Sequence, residues 1–280
     1  MSSWKIFVFD MNRFLGIFVT MINFKKMTDD LINIAKLAGN KIMEVYDSGD
    51  FDIKEKEDDS PVTIADKKAN EIICSRLLKL YPDIPIISEE ELETPYSIRK
   101  DYDYCWIIDP LDGTRDFINK NGEFTVNIAL VKEGKPILGI VHLPAHEKTY
   151  WGLKNEGAFC EFKSNITPIK VSRFNLKQEN LRVVCSRSHF NQETEGFIDT
   201  LNRPQKISIG SSLKFLLLAE GNAELYPRLG PCSEWDTAAP QIIIEEAGGK
   251  LFIFGTENPL VYNKENLLNP HFLAMGKLDK

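Results

Sequence analysis

Trp106-Ile107-Ile108-Asp109-Pro110-Leu111-Asp112-Gly113-Thr114 is the stretch from which the fold is read. It begins as an apolar run of β-formers and ends in two carboxylates, a glycine and a hydroxyl. Such a run predicts a strand that delivers charge to the edge of a sheet. Pro110 cannot donate to a ladder, so the strand is expected to stop at Asp109. Gly113 permits a backbone conformation that other residues resist, or a close approach to a ligand. Asp109 and Asp112, three residues apart across the turn, can face one small volume. Two carboxylates so placed repel each other unless a cation lies between them. Only oxygen donors are offered, which selects a hard cation, most simply Mg²⁺. Asp, Pro and Gly are also ordinary turn residues, so this string alone could be a solvated turn.

The surroundings narrow the choice. The chain has 280 residues, 43% hydrophobic and 27% charged, enough for one large or two closely packed domains. Its net charge is −7, and no Lys/Arg block stands out, which argues against a nucleic-acid polymer as partner. The five cysteines, Cys74, Cys105, Cys160, Cys185 and Cys232, form no C-x-x-C pair. They fit a reducing cytoplasm better than a disulfide framework or a zinc site.

Residues 1–27 read as an N-terminal extension outside the functional core. Its apolar pieces, interrupted by Asp10, Asn12 and Arg13, are too short to span a bilayer. Inner-membrane association of this segment stays open as an alternative to a wholly cytoplasmic protein. Met27-Thr28-Asp29-Asp30 looks like a natural beginning, with Thr28 as N-cap. Leu31, Ile34, Ala35, Ala38, Ile42 and Val45 mark one helical face. A polar loop or hairpin, 47–60, leads to a second helix with Asp66 in its first turn. Pro85 to Ser88 is a short strand ending at Glu89-Glu90-Glu91, so an acid again follows an apolar strand.

After the organising stretch, Phe124–Leu143 reads as a hairpin, followed by further antiparallel strands. From Asn180 strands alternate with helices, which predicts a second α/β layer. Ser211-Ser212 is expected to cap a helix beginning at Leu213. Another helix opens at Glu234-Trp235-Asp236-Thr237, with Pro240 in about its first turn. The expected division is a metal-binding α+β half, 28–175, and a C-terminal α/β half, 176–280, with a cleft where they meet.

Ser88-Glu89-Glu90, Asp109-Pro110-Leu111-Asp112-Gly113-Thr114 and Trp235-Asp236-Thr237-Ala238-Ala239 stand in the order and spacing of known motifs. On them the chain resembles the Mg²⁺-dependent, lithium-sensitive phosphomonoesterases of the inositol monophosphatase and fructose bisphosphatase superfamily, over about residues 28 to 276. Asn121 to Leu130 and Gly210 to Phe215 look like its CysQ-type branch, the 3′(2′),5′-bisphosphate nucleotidases of bacterial sulfur assimilation. The resemblance implies a layered αβαβα sandwich of α+β class. It implies two to three Mg²⁺ per site, held by Glu89, Asp109, the Leu111 carbonyl, Asp112 and Asp236. It implies that Thr114, bonded to Asp66, orients a metal-activated water, with Glu89 also catalytic, and that the Gly113 and Thr114 backbone N–H groups hold the phosphate. His142, His146, His189 and His271 have no motif context and read as structural or surface residues.

The expected substrate is adenosine 3′,5′-bisphosphate (PAP), a phosphorylated nucleotide, hydrolysed to AMP and phosphate. Inositol phosphatases of the superfamily usually place an acid shortly before the W-D motif, whereas Leu225 to Pro231 offers Arg228. An arginine fork suits a second phosphate. Ser211 and Lys214, beside a helix N-terminus, would add to that receiver. The alternative is an inositol monophosphatase or another sugar-phosphate phosphatase, and the oligomer is expected to be a monomer or a homodimer.

Overall fold

The computed structural model describes residues 23–56, 61–188 and 190–279. Its framework is a seven-stranded sheet and a five-stranded sheet with helices outside and between them. In the first, β3 (Ile86–Ser88) runs parallel to β4 (Tyr104–Asp112), and β5 (Thr125–Lys132), β6 (Lys135–Leu143), β7 (Lys148–Leu153), β8 (Gly157–Phe162) and β9 (Asn165–Pro168) follow as an antiparallel meander. The second sheet takes the order β12 (Gln205–Ile209), β11 (Arg182–Ser186), β13 (Leu225–Arg228), β15 (Phe272–Met275), β14 (Lys250–Ile253). β1 (Lys54–Glu55) and β2 (Pro61–Val62) pair antiparallel, so the hairpin's second arm lies just past the 47–60 stretch read as loop or hairpin. β10 (Arg173–Phe174) pairs with β16 (Lys277–Leu278), and the short helix α3 (Tyr96–Arg99) precedes β4.

One face of the first sheet carries α1 (Phe24–Ser48) and α2 (Ile64–Leu80), whose apolar stripes join Trp106, Ile108 and Ile128 in one core. The opposite face packs on α7 (Glu234–Glu246), which with α6 (Leu213–Ala219) fills the space before the second sheet. α5 (Gln192–Asp199) lies on the far side of that sheet, where Ile198 packs with Val183, Leu225 and Leu273. The succession is the expected αβαβα. Gly139 and Gly152, paired across β6 and β7, let α7 approach closely: a Cβ on either would lie under 3 Å from its backbone.

Strand alternation aims the chemistry. Trp106 and Ile108 point to the α1–α2 core, and Cys105 and Ile107 to the α7 core. With period two, Asp109 follows Ile107 onto the α7 face, and Glu89 follows Ile87.

Three local expectations need correction. Pro110 does not end its strand: β4 runs on to Asp112, which pairs with Thr125 beyond a register shift. The bulge leaves the proline outside the regular ladder, where its missing N–H costs nothing. α1 starts at Phe24, capped by Asn23 on the Lys26 N–H, not at Thr28. Thr28 is already inside the helix, its hydroxyl donating to the Phe24 carbonyl, and Met27 is buried in the core. Pro240 is the seventh residue of α7 rather than a first-turn residue. The expectations for residues 1–22 and for His189 lie outside the described residues. Among the described residues no helix is long and apolar enough to cross a membrane.

Candidate active site

Asp109, Asp112 and Asp236 meet where β4 ends and α7 begins, each offering a carboxylate oxygen within 4.8 Å of the other two. The local sequence explains each position. Asp109 and Asp112 flank the bulge, and the Asp109 Oδ1 accepts from the Leu111 N–H at 3.1 Å. Asp236 is the third residue of α7, and its Oδ2 accepts from the Ser233 N–H at 3.1 Å, half of a capping box. Cys232 Sγ lies 3.1 Å from the same oxygen. Among the described residues no cationic side chain forms an ion pair with these three carboxylates.

The electrostatics follow from that crowding. Burial, then the neighbouring charges of Glu89, Asp112, Asp236 and Asp66, holds the Asp109 carboxyl well above the usual carboxylate range. Burial and the Asp112 charge push Asp236 up to about 6. Three clustered oxygen donors with no side chain ion-paired to them among the described residues fit a divalent hard cation.

Glu89 lines the same cleft but is held differently. Lys56, from the β1–β2 hairpin, lies 2.7 Å from Glu89 Oε1 and 2.5 Å from Glu90 Oε1. Burial opposes the Lys56 charge, but the two carboxylates more than offset this and raise its pKa. Burial pushes Glu89 up to about 7; Lys56 opposes that rise, and Asp236 and Glu90 add to it. So the structure groups three of the expected acidic ligands and seats a lysine ammonium on the fourth.

Asp66 does both things the sequence offered. As the third residue of α2 its Oδ2 accepts from the Thr63 backbone N–H at 2.7 Å and from the Thr63 hydroxyl at 2.6 Å. Its Oδ1 accepts from Thr114 Oγ1 at 3.1 Å. Burial raises its pKa against the Thr63 hydrogen bonds. Thr114 opens α4 (Thr114–Ile118), and the Leu111 carbonyl is 3.3 Å from its hydroxyl. Gly113 precedes it at φ +93°, where a Cβ would lie 2.8 Å from the Glu123 carbonyl oxygen. That position needs glycine.

The cleft, about 320 Å³, continues from the carboxylates to Ser211, Lys214, Arg228 and Trp235. Ser211, at φ +44°, presents its carbonyl to Lys214 Nζ at 2.5 Å. Arg228 ends β13 and donates to the Pro231 carbonyl. Both cations are buried, and burial, abetted by Arg228 and opposed by Asp112, lowers the Lys214 pKa.

Sequence reasoning missed several residues here. Lys56 belongs to a polar loop with no periodicity to mark it. Ser212 and Asn127 reach Asp112 from other strands and helices. Arg187 ties Asp116 and Glu123 together at the rim, with Glu123 also accepting from the Gly210 N–H. Of the histidines, His142 is buried against the Thr149 hydroxyl and His271 is exposed near Glu193, so neither joins the site.

The family model for the inositol monophosphatase family matches residues 23–278. The 3′(2′),5′-bisphosphate nucleotidase CysQ of Salmonella typhimurium is 41% identical over 249 residues, covering 88% of this chain and 98% of that protein. The protein of the same description from Escherichia coli K12 is 42% identical over 250 residues, covering 88% of this chain and 98% of its own. Among solved structures, CysQ from Bacteroides thetaiotaomicron superposes with a TM-score of 0.80 at 37% identity, covering 92% of this chain and 99% of that chain. An IMPase from Thermotoga maritima does so with a TM-score of 0.75 at 26% identity, covering 89% and 92%.

Proposed function

The chain belongs to the inositol monophosphatase family, and on that premise we propose that it is a Mg²⁺-dependent 3′(2′),5′-bisphosphate nucleotidase, hydrolysing PAP to AMP and phosphate. The observation that carries this reading is one cleft holding both an acidic cation site and two buried cations, Lys214 and Arg228. A substrate with one phosphate to cleave and a second to anchor matches that pairing of charges.

Asp109, Asp112 and Asp236, with Glu89 and the Leu111 carbonyl, would hold two to three Mg²⁺. Bound Mg²⁺ lowers the pKa of water and neutralises charge on the phosphate and on the leaving oxygen. The chain supplies the rest. Thr114 spends its proton on Asp66, so its oxygen lone pairs remain to accept from an attacking water and fix its direction. Asp66 is locked by its helix-cap bonds, which leaves Oδ1 free for that one partner. The Gly113 and Thr114 backbone N–H groups face the phosphate oxygens. Ser211, Lys214 and Arg228 receive the second phosphate by charge-assisted hydrogen bonds.

The five free thiols are in keeping with a cytoplasmic enzyme, which we take to act as a monomer or homodimer. The chain from α1 to about residue 175 would form the metal-binding half and 176–280 the half that completes the site, with the accessory extension ending ahead of the Asn23 cap rather than at residue 27.

The test is kcat/KM for PAP and for inositol 1-phosphate in the wild type, Arg228→Ala and Lys214→Ala. Removing either charge-assisted hydrogen bond should cost on the order of 1.5–3 kcal/mol on PAP and much less on the monophosphate. Equal losses on both substrates, or a wild-type preference for inositol phosphate, would support the sugar-phosphate alternative. Full turnover in excess EDTA would sink the metal requirement itself.

A further inference from the structure

Ser212 stands at the N-cap of α6, where serine ordinarily accepts a backbone N–H, yet its side chain makes no capping bond. The hydroxyl is turned elsewhere. It lies 2.7 Å from Asp112 Oδ2, accepts from Asn127 Nδ2 at 2.9 Å, and has the Asp236 carbonyl 3.2 Å away. Ser212 and Asn127 are both fully buried.

Each of these neighbours has a separate origin. The Asp236 carbonyl would ordinarily accept the N–H four residues on, at position 240, and Pro240 has none. The proline therefore leaves a carbonyl of the metal-site helix free to face Ser212. Asn127 is on β5, in register with Asp109 of β4, so the sheet sets its amide beside the acidic strand. With Asn127 donating, the one hydroxyl proton of Ser212 is left for an acceptor, and the carboxylate is the nearer and stronger of the two. Ser212 thus joins one carboxylate delivered by the first sheet to the helix that delivers another.

We propose that Ser212 is a positioning residue for the cation site: its hydroxyl, oriented by Asn127, fixes the Asp112 carboxylate relative to Asp236. The inference rests on the metal-site reading above. Outer hydrogen bonds of this kind orient ligands, and their loss costs cation affinity. Ser212→Ala removes a single oxygen from a buried site, and Ser212→Thr keeps it.

The experiment is calorimetric titration of the EDTA-treated full chain with Mg²⁺, alongside its thermal unfolding in EDTA. Ser212→Ala should bind Mg²⁺ roughly 10- to 100-fold more weakly, with the cation-free melting temperature unchanged, and Ser212→Thr should recover the affinity. Wild-type affinity in Ser212→Ala would overturn the proposal. So would a loss matched by an equal fall in cation-free melting temperature, or one that Ser212→Thr shares, since either marks a packing role. A wild type that takes up no Mg²⁺ would instead fail the metal-site reading itself.

Discussion

Asp109 is buried, and four other carboxylates, Glu89, Asp112, Asp236 and Asp66, act on it. Asp109→Asn removes part of that repulsion and, on the proposed reading, a cation ligand at once. The cation-free protein should melt higher than wild type, while turnover falls by more than the roughly 100-fold that losing an outer partner costs. Thermal unfolding in EDTA and phosphate release with Mg²⁺ read the two effects separately; a variant that turns over normally would remove Asp109 from the mechanism. Glu89 gives a pH dependence. Its folded value of about 7 lies above the ordinary 4.5, so the folded state holds the proton more tightly. Its contribution is therefore fully present below about pH 4.5 and is lost as pH rises toward 7. His142, buried and lowered to about 4, works in the opposite direction, so the comparison is with Glu89→Gln. In EDTA the wild type should lose stability relative to that variant between about pH 4.5 and 7; parallel curves would refute it. The acidic residues are legible in the sequence because Asp109, Asp112 and Asp236 sit in short contiguous motifs. Lys56, which reaches Glu89 from 33 residues away, is not, because an ion pair between a loop and a strand end leaves no local pattern. Ser212 is legible only as a cap, since its type fits that role and its diversion depends on packing.

Among the elements, strands and helices with clear periodicity appear where the sequence places them, and the departures sit at their ends. Asn23 displaces Thr28 as the α1 cap because its side chain meets the Lys26 N–H. Thr28 has the right chemistry for a cap but sits inside the helix. Pro110 reads as a stop only while the missing N–H is considered without the bulge that absorbs it. Gly113 belongs to this scale, because it turns β4 into α4 at φ +93°. Gly113→Ala would bring a Cβ within 2.8 Å of a carbonyl oxygen, in a backbone region that alanine resists. Destabilisation of about 1–3 kcal/mol is expected by denaturant unfolding, with loss of turnover if, as proposed, the same backbone holds the phosphate. A variant as stable and active as wild type would show that the turn relaxes freely.

For the whole molecule, α7 decides how the layers meet. Ala238, Ala239, Ile242, Ile243 and Ile244 are all buried, so the helix is apolar on more than one face, as an element between two sheets must be. The sequence shows the helix and both sheets, but not that this helix is their shared core, because strand order is set by long-range pairing. The same logic bounds the core at its N-terminal edge. The buried face of α1 begins at Met27, and its first turn, with the Asn23 cap and the bond from Thr28 to Phe24, lies ahead of it. A chain beginning at Ile22 keeps that turn, and it should fold and turn over as the full chain does. A chain beginning at Met27 loses the cap, which costs about 0.5–2 kcal/mol, and should melt lower with kcat unchanged, since no site residue is removed. Thermal unfolding and phosphate release on the two shortened chains check this. An inactive or insoluble chain from Ile22 would mean that residues 1–21 contribute to the catalytic core.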